Sequence, residues 1–191
     1  VNPSYATVED IPCYPNLADL PERPDQVIFA ISDQRIEAAL DDVIALGIPA
    51  CTIFSALILS DDSTPNLKQR IAIKAQSAGL FIAGANGMGF YNVRDRVLAG
   101  GFDTRDHPYP GNVALISQSG AGMSGIVDCE QRIQFNFAVS SGYELTVSME
   151  DYLDYALDLP ETRVVGLFLE TSRYPEKLIQ AFKKANQRNI P

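Results

Sequence analysis

The sequence predicts an α/β protein made of two parallel-sheet units in tandem, on three observations. Short apolar runs rich in β-branched and aromatic residues alternate with stretches of helical periodicity. Those runs are almost continuously apolar, as strands covered on both faces are. The alternation breaks once, over a polar stretch full of glycine and proline at about residues 92–110, and then restarts.

In chain order, Val27–Ile31 reads as a buried strand. Asp33 is the expected cap of a helix bearing Ile36, Ala39, Leu40 and Val43, with Gly47 as its left-handed stop. Ala50–Phe54 is the next strand. A loop with Asp61, Asp62 and Pro65 then opens a helix carrying Leu67, Ile71, Ala75 and Ala78, stopped by Gly79. Leu80–Ala83 is the third strand, running into the turn Gly84-Ala85-Asn86-Gly87-Met88-Gly89.

Beyond the break, Val113–Ser117 is a strand, and Gly120 opens a helix with Met123, Ile126 and Val127. Phe135–Ser140 is a strand. Ser148, with Asp151 three residues on, forms a capping box for the next helix. Val164–Glu170 is the last strand, and Pro175 starts a helix with Leu178, Ala181, Phe182 and Ala185. Domains are expected at 1–91 and 111–191, joined by a linker over 92–110. Each has about three strands where such a sheet usually has five or six. Both are therefore read as partial, and the chain, which begins at Val1, as part of something longer.

Composition narrows the function. Fifteen Lys and Arg against 24 Asp and Glu leave a net charge of −9, which repels a phosphate backbone and excludes nucleic acid as a bulk partner. It does not exclude a nucleotide held by backbone N–H groups. No apolar run approaches the ~20 residues that span a bilayer, so no membrane role is expected. Val1-Asn2-Pro3-Ser4-Tyr5 carries no basic and apolar secretion signal. Cys13, Cys51 and Cys129 are odd in number with no CxxC pair, against both a disulfide framework and a metal site. A reducing cytoplasm fits them.

Open parallel sheets bind ligands at the carboxyl ends of their strands. Gly120-Ala121-Gly122-Met123-Ser124-Gly125 is a G-x-G-x-x-G turn opening a helix, suited to an anion on the helix N-terminus. A dinucleotide site also needs an acidic residue at the end of the next strand. That strand ends in Ser140-Ser141-Gly142, with Glu144 slightly beyond, so the fit is partial. Ser117, Gln118 and Ser119 suit an anion or a thioester chain better than a ribose. A turn needed only for close packing is the alternative.

The turn Gly84–Gly89 allows close backbone approach to a ligand, with Asn86 as donor and acceptor, or is a plain turn. Glu170, ending an apolar strand, faces the crevice and could orient a histidine, or form a salt bridge to Arg173. His107, the only histidine, sits in a proline-flanked loop and reads as a surface residue without a role. Cys51 reads as an inert buried thiol. These residues alone lead to a tandem α/β binder of nucleotide type.

Taken together, several motifs occur in one order. They are Val1-Asn2-Pro3, Tyr14-Pro15-Asn16-Leu17 with Leu20-Pro21, the Gly84–Gly89 turn, Ser117-Gln118-Ser119-Gly120-Ala121, Ser140-Ser141-Gly142, and Glu161 to Glu170. The chain in this respect resembles, over its whole length, the NDP-forming acyl-CoA synthetases, the superfamily of succinyl-CoA synthetase α subunits and ADP-forming acetyl-CoA synthetases. Ala85 and Gly87 stand where the family's turn has Pro and Cys, and Tyr143 where an Asn is common.

The resemblance implies a Rossmann-like CoA-binding domain, incomplete at its N-terminus, followed by a flavodoxin-like ligase domain, incomplete at its C-terminus. It implies that ATP phosphorylates a histidine, the phosphate passes to a carboxylate, and CoA displaces it to give the thioester. Asn2, Pro3, Phe29, Ala30, Ile31, Ser55 and Ala56 would then lie near CoA, with Asn86 at the thiol end. Ser117, Gln118, Ser119 and Gly120 would line the acyl and phosphate site, and Glu170 would be the catalytic carboxylate that steadies the phosphohistidine.

The CoA phosphate loop is expected before Val1 and the histidine after Pro191. ATP and Mg²⁺ belong to an ATP-grasp domain or subunit outside these residues, which makes subunit association the expectation and the 191 residues alone inactive. Two other readings stay open: a non-catalytic CoA-sensing module of a fused acyltransferase, and a dinucleotide-binding oxidoreductase domain.

Overall fold

The computed structural model describes all 191 residues. A two-residue antiparallel pair, β1 (Thr7–Val8) with β2 (Ile11–Pro12), precedes the first sheet. That sheet is β3 (Gln26–Phe29), β4 (Ala50–Ile53) and β5 (Phe81–Gly84), all parallel and in that order. Helices α1 (Asp33–Ala45) and α2 (Leu67–Ala78) make the crossovers. Ile36, Leu40 and Val43 of α1 and Leu67, Ile71 and Ala75 of α2 share one buried cluster with Phe29, Cys51, Ile53 and Ile82. Each large side chain buried there contributes about 1.5–3 kcal/mol. Gly47 and Gly79 end the two helices at φ of 65° and 67°, the left-handed conformation expected of them.

The second sheet has five strands in the order β10-β8-β9-β6-β7. Its parallel core is β8 (Val113–Ser117), β9 (Phe135–Ser140) and β10 (Val164–Phe168). Helix α3 (Gly120–Cys129) covers one face through Met123 and Val127. Helices α4 (Met149–Asp158) and α5 (Pro175–Gln187) cover the other, over Ala114, Ile116, Phe137 and Val139. Ser148 and Asp151 form the expected capping box, and Pro175 opens α5.

The segment 92–110 is not a plain linker. Strands β6 (Gly89–Asn92) and β7 (Val97–Gly100) form an antiparallel hairpin, and β6 pairs along β9. The glycines and charges that read as a break belong to a hairpin turn, with Arg96 at φ 58°, and to an edge strand whose Val97 and Leu98 are exposed. Other boundaries also differ, β4 ending at Ile53 and β5 running one residue later, over Phe81–Gly84. Ser32 rather than Asp33 occupies the cap of α1, because Asp33 turns its Oδ2 to accept from the Ile58 N–H at 2.9 Å. Strands β3 and β10 stop at Phe29 and Phe168, leaving Ala30, Ile31 and Glu170 in the turns beyond.

The two sheets meet at their carboxyl ends. The Tyr143 N–H donates to the Ala85 carbonyl at 2.7 Å, and the Leu145 N–H to that of Gly84 at 3.3 Å. Thr146 Oγ1 accepts from the Ile82 N–H at 2.7 Å, and Leu145 is buried in the first unit's core cluster. No helix is long and apolar enough to cross a membrane.

Candidate functional site

Three strand-end turns converge at this junction. The first is the G-x-G-x-x-G turn at the start of α3. Buried Ser117 Oγ donates to the Ser119 carbonyl at 2.7 Å and accepts from the Ser119 N–H at 3.1 Å, which bends the chain into the helix. Ser119 Oγ caps α3 by accepting from the Gly122 N–H at 3.1 Å, and the Met123 N–H reaches the Ser119 carbonyl. The N–H groups of Gly120 and Ala121 keep no protein partner, so the positive end of α3 presents two free donors to an anion.

The second is Gly84–Gly89, which crosses from one sheet to the other directly over that helix end. A Cβ on Gly120 would meet Met88 Cγ at 2.7 Å, and one on Gly87 would meet the Ser140 carbonyl at 2.7 Å. Asn86 is exposed at φ 54°, and its N–H donates to the Ser55 carbonyl at 2.9 Å. The sheet order therefore sets Ala30, Ile31, Ser55, Ala56 and Asn86 along one edge. Phe29 is buried beneath it. The hydroxyls of Ser55 and Ser140 are buried without a protein partner. Asn2 and Pro3 lie in the N-terminal segment, where the Asn2 N–H donates to Tyr14 and Asn2 Oδ1 accepts from Ser4.

The third turn follows β10. Glu170 is exposed and its carboxylate has no protein partner, so the salt bridge to Arg173 is not made. Arg173 Nε instead donates to Glu144 Oε2 at 2.9 Å. Glu144, fully buried in its side chain, also accepts from Ser141 Oγ at 2.8 Å and Gln118 Nε2 at 2.9 Å. Its oxygens are thus spent on protein rather than open to a ribose. A methyl group on Gly125 would have nothing within 4 Å of it, so the third glycine of the fingerprint serves no close packing. Both facts count against a dinucleotide.

Sequence reasoning missed Glu144 as an anchor, and missed Glu150. Glu150 is buried and accepts from Ser172 Oγ at 2.6 Å and the Tyr174 N–H at 3.2 Å. For Glu144 the available signal was a carboxylate just past the end of β9; Glu150, in the first turn of α4, gave none. His107 is half-buried between the rings of Tyr91 and Phe135, at 6.4 and 6.2 Å, and burial together with Arg105 holds its pKa below the ordinary histidine value. It lies away from the converging turns, in the loop after β7. Burial pushes the Cys51 thiol up to about 12, which keeps it inert. No group of three or more His, Cys, Asp and Glu side chains is placed to hold a metal ion.

Comparison with known families decides what this junction belongs to. Residues 1–92 match a CoA binding domain, and residues 110–191 match the succinyl-CoA ligase like flavodoxin domain. The chain is a CoA-binding domain followed by a succinyl-CoA ligase-like domain. The acetate–CoA ligase (ADP-forming) I of Archaeoglobus fulgidus is 24% identical over 98% of this chain and 28% of its own length. A trans-feruloyl-CoA synthase of an unknown prokaryotic organism is 27% identical over all of this chain and 28% of its own length. The chain thus spans less than a third of these curated relatives.

In fold, the apo acetyl-coenzyme A synthetase 1 (dinucleotide forming) of Ca. Korarchaeum cryptofilum superposes with a TM-score of 0.86 at 24% identity, covering all of this chain and 42% of that one. The three converging turns are therefore the meeting place of the CoA-binding domain and the ligase-like domain.

Proposed function

We propose that this chain supplies the CoA-binding and acyl-transfer parts of an ATP-dependent, ADP-forming acyl-CoA synthetase. One observation carries the reading: the glycine-rich turn of the CoA-binding domain closes over the free amide end of α3, with the unpartnered Glu170 carboxylate in the adjoining turn. In the overall reaction ATP gives its terminal phosphoryl group to a histidine, the phosphoryl passes to a carboxylate oxygen, and the CoA sulfur takes the acyl carbon as phosphate leaves.

In this reading Ala30, Ile31, Ser55, Ala56 and Asn86, with Phe29 beneath and with Asn2 and Pro3 of the N-terminal segment, hold CoA with its thiol at Asn86. Ser55 and Ser140 supply hydroxyls that the protein itself leaves unpartnered. The N–H groups of Gly120 and Ala121, positioned by Ser117 and Ser119, take the negative charge of the phosphoryl group. Glu170 steadies the phosphohistidine by accepting from its ring N–H. The histidine, ATP and Mg²⁺ belong to segments outside these residues, in an ATP-grasp domain or subunit that must dock at this junction. The acid is a small-molecule carboxylate, aliphatic or aromatic, in keeping with relatives named for acetate and ferulate. Three free cysteines suit a reducing cytoplasm.

The test uses the complete natural protein with its ATP-grasp segment. Incubation with γ-labelled ATP and Mg²⁺ should give acid-labile, alkali-stable protein phosphate that CoA plus a carboxylate discharges. CoA binding without any labelling would refute the reading.

A further inference from the structure

The side-chain amide of Gln118 has no hydrogen-bonding capacity left for a ligand. A primary amide offers two donors and one doubly accepting oxygen. Gln118 Oε1 accepts from the N–H groups of both Glu170, at 2.7 Å, and Thr171, at 2.8 Å. Its Nε2 donates to Glu144 Oε1 at 2.9 Å and to the Thr171 carbonyl at 2.7 Å. All four positions are filled by protein. Three of them grip the two residues at the head of the turn after β10, while the Glu170 carboxylate itself stays free.

We infer that Gln118 is a positioning residue for Glu170, acting with Glu144 and Arg173, and not a ligand of the acyl and phosphate site. The inference rests on the function proposed above, in which Glu170 acts on the phosphohistidine. Glu144 supports Gln118 from behind. Its side chain is wholly buried, its backbone is held at φ 54°, and its remaining partners are Ser141 Oγ and the Arg173 guanidinium. A non-glycine residue in that conformation persists only where its surroundings over-determine it.

Arg173 lies three residues beyond Glu170 and also donates to the Tyr143 carbonyl at 3.0 Å. The turn is thus tied to the end of β8 through Gln118 and to the end of β9 through Glu144. Glu150 of α4 holds the next residues, Ser172 and Tyr174. Several elements fix one loop, and the network works as a unit because a buried carboxylate stripped of partners is strongly unfavourable. What it fixes is the origin of the Glu170 side chain, to the tolerance that phosphoryl chemistry needs.

The experiment uses the complete protein with its ATP-grasp segment, and reads thioester synthesis alongside hydrogen exchange in peptides covering residues 168–174. Gln118→Leu removes every bond of the clamp at similar volume. It should lower kcat on the order of a hundredfold, the effect of misplacing a catalytic group by about an ångström. KM for CoA and for the carboxylate should stay unchanged, and exchange at 168–174 should speed up. The exchanged pair Gln118→Glu with Glu144→Gln keeps one carboxylate facing one amide, and should recover part of kcat and of the protection. Gln118→Asn, which shortens the arm by one methylene, is the milder form if Gln118→Leu does not fold.

A raised KM for the carboxylate at unchanged kcat would make Gln118 a direct ligand and overturn the inference. So would unchanged exchange at 168–174. A wild-type protein that accepts no phosphate and makes no thioester, while the exchange still responds to Gln118→Leu, refutes the proposed function and its catalytic consequence but leaves the clamp itself established.

Discussion

Gly142 and Gly125 both belong to the second unit, yet opposite physics governs them. Gly142 sits at φ 60°, and a Cβ there would overlap the Ala85 carbonyl oxygen at the junction. Gly142→Ala should therefore destabilise the protein by more than ~1 kcal/mol. Gly125 lies inside α3 with open space around it, so Gly125→Ala should stabilise by ~0.5–1 kcal/mol through helix propensity alone. Urea unfolding of the two variants checks both signs, and equal effects would show that the junction exerts no such constraint. A G-x-G-x-x-G string announces three equivalent glycines, whereas contacts separate them. Glu170 stood out as a lone carboxylate after an apolar run, although β10 itself stops at Phe168 and leaves it in the turn. Glu144 was not, because its importance comes from partners 26 and 29 positions away, Gln118 and Arg173, which no local pattern reveals.

At the scale of elements, periodicity carried most of the reading. Parallel strands buried on both sides and helices with one apolar face announce themselves, and β4, β8 and β9 fall where the apolar runs lie. The hairpin of β6 and β7 did not, since an edge strand with exposed Val97 and Leu98 and a charged turn has the composition of a loop. The loop between β10 and α5 depends on α4 in a way that pH can expose. Burial alone would raise the pKa of Glu150, but hydrogen bonds from Ser172, its own N–H, Tyr174 and Ser148 outweigh it and hold the carboxyl below the ordinary 4.5. A carboxyl depressed in the folded state stabilises fully above its unfolded value, and that contribution is lost as pH falls through the folded value. Below about pH 4.5 the wild type should thus lose stability more steeply than Glu150→Gln. Denaturation midpoints between pH 3 and 7 measure it, and parallel acid limbs would contradict the assignment.

At the scale of the whole molecule, the two sheets are bound by more than a tether. Backbone bonds from Tyr143 and Leu145 to the Gly84–Ala85 turn, and a bond from the Ile82 N–H to the Thr146 hydroxyl, cross the junction. The two units should consequently unfold in one transition, with fluorescence, circular dichroism and calorimetry agreeing on a single midpoint. Two separable transitions would show that the junction does not couple them. The sequence led to two domains and the correct classes for both, because each has its own alternating pattern. Their coupling was beyond it, for it rests on backbone groups, which every residue has, and on Thr146 and Leu145, whose partners lie some sixty or more positions away.

Leu145 gives that coupling a further meaning. It comes from the ligase-like half of the chain yet sits in the hydrophobic cluster of the CoA-binding half, with Ile53 and Ile82. Similarity divides the molecule near residue 92, but the first half's interior is completed by a plug supplied some fifty residues later. Separated at the similarity boundary, the CoA-binding half would keep an open apolar socket and a tendency to stick to itself. Exchanging one half without the other would break this fit, so the two halves are a matched pair.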